Sequence, residues 1–88
     1  MALTKNAQSI VNNEWVSLNT MFSVTVGAAF SVHNLTNSNI MQISEANVKP
    51  LVSDTNYLLL YPTQPAIIPA GSLQVWVLGN GVVNVQET

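Results

Sequence analysis

Leu73-Gln74-Val75-Trp76-Val77-Leu78-Gly79-Asn80-Gly81-Val82-Val83-Asn84-Val85-Gln86 carries the clearest structural signal in the chain. β-Branched and aromatic residues dominate both halves, the composition that a pleated, half-buried strand favours. Between them, Gly79-Asn80-Gly81 can supply the positive φ values of a primed turn, so the segment reads as a C-terminal β-hairpin. Leu73, Val75 and Val77 alternate with Gln74, Trp76 and Leu78. Both sets contain apolar side chains, so each face needs cover from a second sheet or a neighbouring subunit.

Upstream, the same logic extends to a series of short strands. Phe22, Val24 and Val26 would point one way with Ser23 and Thr25 opposite, and after Gly27 the alternation resumes with Phe30 and Val32 against Ser31 and His33. Gly27 is then a bend within one strand or a break between two. Asn34 to Asn39 is a polar turn, Ile40 to Ser44 a further strand, and Ala46-Asn47-Val48-Lys49-Pro50 a loop. Asn56 to Tyr61 is an apolar run without alternation, as in a strand covered on both faces. Pro62, Pro65 and Pro69 each remove a ladder donor, which makes Ala66-Ile67-Ile68 an edge or crossing segment. At the start, Leu3, Ala7, Ile10 and Val11 lie near helical spacing, and Asn12-Asn13 would end a helix there. Residues 1–13 are therefore either a short helical turn or an extended arm.

Turn-forming residues recur about every 8 to 12 positions, the rhythm of a sandwich or barrel. Residues 14–88 are expected to form a single all-β domain, a small antiparallel β-sandwich of about seven or eight short strands, of which a jelly roll is one form.

Charged residues make up 7% of the 88-residue chain while hydrophobic ones make up 48%. Disordered chains show the opposite balance, so this one is expected to fold and to keep its surface wet with neutral groups, its eleven asparagines foremost. Two Lys, no Arg and a formal net charge of -2 leave nothing to neutralise a row of phosphates or to attract an anionic membrane, so neither partner is expected. No apolar run approaches the roughly 20 residues of a spanning helix. The chain holds no cysteine, which excludes disulfides and thiolate metal sites. Its opening residues do not resemble a secretory signal, and synthesis in the cytoplasm is the resulting expectation.

The ionisable side chains are Lys5, Glu14, His33, Glu45, Lys49, Asp54 and Glu87. A carboxylate pair drawn from Glu14, Glu45 and Asp54 would be the raw material of a hydrolase, but any three scattered acids offer such a pair, and capping or solvated roles are expected for them. His33 stands without a second His or an acidic cluster, as a surface or interface hydrogen-bonding group does. No phosphate loop, nucleophile elbow, dinucleotide fingerprint or zinc spacing occurs. Catalytic residues, cofactors and metals are accordingly not expected, and the chain reads as a non-enzyme. Asn34-Leu35-Thr36 matches the N-glycosylation triplet, which a chain rich in Asn and Thr produces by accident. Trp15, Tyr57, Tyr61 and Trp76 offer the largest contact areas and are the candidate interface residues, with the core as the alternative home, above all for Tyr57 and Trp76.

The segment Pro69-Ala70-Gly71-Ser72-Leu73-Gln74-Val75-Trp76-Val77-Leu78-Gly79-Asn80-Gly81-Val82-Val83-Asn84-Val85-Gln86-Glu87 resembles the closing segment of small tailed-bacteriophage virion proteins. There a Pro-Ala/Gly turn leads into a Trp-containing strand, a Gly-rich turn and a final strand ending near Gln-Glu. The layout of Val32 to Leu35 and Ile40 to Ile43 around a polar turn is similar to theirs as well. The resemblance implies a structural protein of the virion: a capsid decoration or cement protein, a head- or tail-associated protein, or a fibre component. Its partners would be copies of itself and other capsid or tail proteins, and no individual binding residue carries over. The alternative is a carbohydrate-binding, receptor-recognising module of a tail fibre or spike, in which an aromatic ring such as Trp15 stacks on sugar.

Overall fold

A computed structural model describes residues 7–10, 14–36, 39–53, 57–62 and 64–87, together with the backbone of residues 3–4. The strands are β1 (Leu3–Thr4), β2 (Gln8–Ile10), β3 (Val16–Ser17), β4 (Phe30–Asn34), β5 (Met41–Glu45), β6 (Leu58–Leu60), β7 (Ala66–Ile68), β8 (Val75–Leu78) and β9 (Gly81–Glu87). One helix, α1 (Leu18–Phe22), follows β3. All pairings are antiparallel and fall into two sheets, β1-β9-β4-β7 with β2 also on β9, and β3-β8-β5-β6.

β1 and β2 occupy the same position beside β9 with a one-residue change of register, Thr4 facing Gln86 and Gln8 facing Val83. Counted as one position, they give two sheets of four strands in the orders 1-8-3-6 and 2-7-4-5. That is the connectivity of a jelly roll: a long hairpin whose arms pair first with last, second with seventh, and so inward, rolled up until its two halves face each other. The expected β-sandwich is therefore present in its jelly-roll form.

Each strand's pattern explains its place. Phe30 and Val32 of β4, Met41 and Ile43 of β5, and Val83 and Val85 of β9 are buried, while Ser31, His33, Gln42, Ser44, Asn84 and Gln86 alternate with them toward the outside. A period of two with neutral polar groups on one face is what a sheet with one core face requires. The inner faces, with Ile10, Leu18, Phe22 and Leu60, form one continuous core.

Several sequence expectations are corrected. The C-terminal hairpin is absent. β8 pairs with β3 and β5, whereas β9 pairs with β4, β1 and β2, so Gly79-Asn80 arches from one sheet to the other. An arch lets Val75 and Val77 face Val83 and Val85 across the core, which a hairpin within one sheet would not do. Gly79 and Gly81 do have φ of 148° and 154°, but the space around them demands glycine more than any turn type does. A Cβ on Gly79 would lie 2.9 Å from Met41 Cγ, and one on Gly81 would overlap Thr36 Oγ1 and the Met41 methyl. Three bonds moor this arch to the neighbouring turn: Asn39 Nδ2 donates to the Asn80 carbonyl at 2.8 Å, Val82 N–H donates to Thr36 Oγ1 at 2.9 Å, and Leu35 N–H donates to the Val82 carbonyl at 2.8 Å.

The alternation from Phe22 to Val26 does not form a strand. Ser17 caps α1 by accepting from Thr20 N–H at 3.1 Å, and Ser23 ends it with φ 57°. Cap chemistry and the burial of Leu18 and Phe22 override the β-like run. Asn19 completes the mooring: its Oδ1 accepts Val75 N–H at 2.8 Å and its Nδ2 donates to the Val24 carbonyl at 3.2 Å. The short helical turn considered for residues 1–13 is also not formed by the described residues there, which are β1, β2 and Ala7 beside β2. Ile10, fully buried, joins the core instead of tipping a free arm.

Candidate functional site: an open groove between two sheet edges

Of the candidate acids, Glu14 and Glu45 have separate partners. Glu14 pairs with Lys49 at 3.0 Å on the surface, and Glu45 Oε2 accepts the Leu73 N–H. Asp54 lies outside the described residues. No group of three His, Cys, Asp or Glu among the described residues could hold a metal ion. His33 is half-buried on the outer face of β4, directly across from Asn84. Asn34 is 2% exposed and its amide nitrogen donates to the carbonyls of Asn39 and Leu60, so the acceptor nitrogen of the glycosylation triplet is buried and engaged. No helix among the described residues is long and apolar enough to cross a membrane.

The four aromatic candidates separate. Trp15 is 2% exposed, and its indole N–H donates to the Leu51 carbonyl at 3.0 Å. It therefore presents no ring to a partner or a sugar, and the carbohydrate-binding alternative would need another aromatic ring. Trp76 is half-buried and donates to the Ala46 carbonyl at 3.0 Å. With the Glu14–Lys49 pair, the two indoles pin the long β5–β6 connection at three points, so their polar tips are used within the chain. Tyr57 is half-buried and Tyr61 is exposed.

What the structure assembles instead is a groove of about 670 Å³ where the two sheets part, with Tyr57, Leu58, Leu59, Ile67, Ile68 and Val75 among its lining residues. β6 ends one sheet and β7 ends the other, so each has an edge with no strand beside it among the described residues. Leu58 is 75% exposed, Ile67 73% and Leu59 47%. The expected covering of both faces is thus not provided by the described residues, since within β6 only Leu60 is buried.

Both features run against the usual practice of soluble proteins. Exposed edges are normally blunted by charge, Pro or a covering segment, because their free N–H and C=O groups template further pairing. Pro65 and Pro69 flank β7, but β6 is three leucines with no charge among them. The apolar run without alternation was the sequence signal for this site. It pointed to cover on both faces, and left open whether the cover came from within the chain.

Comparison of the chain with family models, with curated proteins and with solved structures yields no match. The site therefore has to be read from its own geometry.

Proposed function

We propose that the chain is a non-enzymatic structural subunit, a component of a tailed-phage particle, that holds other protein chains through the groove between β6 and β7. The observation that carries this reading is the exposure of Leu58, Leu59 and Ile67 beside two strand edges that no other strand among the described residues pairs with. A partner segment entering as an extended strand would satisfy edge N–H and C=O groups and cover the three side chains at once, the strand-addition mode of recognition. Apolar burial contributes roughly 25 cal/mol per Å², so a modest groove supports binding without charge. The scarcity of ions suits a particle that must keep its contacts across salt conditions, because such contacts are little screened. Jelly rolls are used by capsid subunits, and also by lectins. The lectin-like alternative now rests on Tyr57 and Tyr61.

The test combines molar mass in solution with binding to phage particles and their major proteins, for the natural chain and for Leu58→Glu and Ile67→Glu. Both sites are exposed, so stability should stay within about 0.5 kcal/mol, while association is lost. A natural chain that is monomeric and shows no affinity for any phage protein overturns the proposal. Binding to a glycan array that disappears with Tyr61→Ala would move the assignment to carbohydrate recognition.

A further inference from the structure

We propose that Asn80 is a site of covalent ageing, at which the chain deamidates to a mixture of aspartate and isoaspartate, and that the change loosens the arch between the two sheets. Of the eleven asparagines, Asn80 alone is followed by glycine. The others precede residues whose side chains hinder approach to the next backbone nitrogen. Asn80 is exposed, and among the described residues only its backbone carbonyl is engaged, by Asn39 Nδ2, while no hydrogen bond holds its carboxamide.

The reaction needs nothing but water. The Gly81 nitrogen attacks Asn80 Cγ and loses its proton to solvent, the bond from Cγ to the amide nitrogen breaks, and ammonia leaves. The resulting five-membered imide then takes up water at either of its carbonyls. Opening one way gives aspartate; opening the other routes the main chain through Cγ and gives isoaspartate, with one extra methylene in the backbone.

What makes the position specific to this fold is that the reactive pair cannot easily be replaced. A Cβ at Gly81 would collide with Thr36 and Met41, and its φ of 154° suits glycine. Packing at the arch therefore keeps a glycine after Asn80. The product acts where the sheets are joined: isoaspartate turns the Asn80 carbonyl that accepts from Asn39 into part of a free carboxylate, and lengthens a connection two residues from Val82, which Thr36 and Leu35 hold. It also adds one negative charge to a chain whose net charge is -2.

The folded chain and Asn80→Gln, which keeps both glycines, are incubated at mildly alkaline pH and followed by intact mass, peptide mapping and ion exchange. Deamidation at Asn80 should run at least ten times faster than at the other asparagines combined, with isoaspartate in excess, and should vanish in the variant. The ion-exchange fraction carrying isoaspartate should unfold at lower urea than the unmodified fraction. Modification that maps elsewhere, that proceeds no faster than in Asn80→Gln, or that leaves the urea midpoint unchanged overturns the inference.

Discussion

Asn34 shows how one neutral polar side chain can organise a junction that other proteins would build with charge. Its Nδ2 donates to the Asn39 carbonyl at 2.8 Å and to the Leu60 carbonyl at 3.1 Å, while its Oδ1 accepts Thr36 N–H at 3.0 Å. It thus ties the end of β4 to the following turn and to β6. Asn34→Ala strands three backbone groups in a largely dry place, and a loss of about 2–4 kcal/mol is expected from urea denaturation. Trp15 is the second such residue, a core ring with one polar obligation. Trp15→Phe keeps most of the packing and removes the bond to Leu51, so about 1–2 kcal/mol should go with it, read in the same experiment. Neither role was legible in the sequence. Asn34 looked like the start of a polar turn, and Trp15 looked as much like a surface anchor as a core residue, because the partners of both come from distant segments.

Among the elements, strands with a clean period of two were read correctly and strand-like runs with another fate were not. β4 and β5 fell within one residue of expectation, and Ala66–Ile68 is the edge strand that its flanking prolines demanded. The segment 22–26 alternates equally well, but the Ser17 cap and the grip of Asn19 on Val75 make its start helical. The arch between β8 and β9 is the sharper lesson, since two strands joined by Asn-Gly can pair with each other or can cross between sheets. Its glycines are distinguishable by experiment from ordinary turn glycines. Gly71 has φ 88° but open space where a methyl group would sit, whereas Gly81 has neither freedom nor space. Gly71→Ala should cost about 1–2 kcal/mol from backbone strain alone, and Gly81→Ala at least about 2 kcal/mol more from overpacking, measured as the shift in denaturation midpoint.

For the molecule as a whole, the shortage of charge sets its behaviour. The Lys49–Glu14 pair is exposed on both sides and contributes little. Stability should therefore change by less than about 1 kcal/mol between low and high sodium chloride, as followed by urea titration at each ionic strength; a steeper dependence would overturn that expectation. The groove between β6 and β7 is the counterpart of that economy of charge. Leucine and isoleucine stand at the open edges, where sheet edges are more often guarded by Lys or Glu.

Composition and local periodicity alone determined that this protein is an all-β sandwich with neutral outer faces, because a period of two and a deficit of ions are properties of adjacent residues. Which strands share a sheet, where the sandwich stays open, and which aromatics turn inward were decided only by the tertiary structure. Those outcomes depend on competition between long-range pairings of similar local merit, and that competition is resolved by how side chains such as Met41, Thr36 and Val75 fill one shared core and its rim.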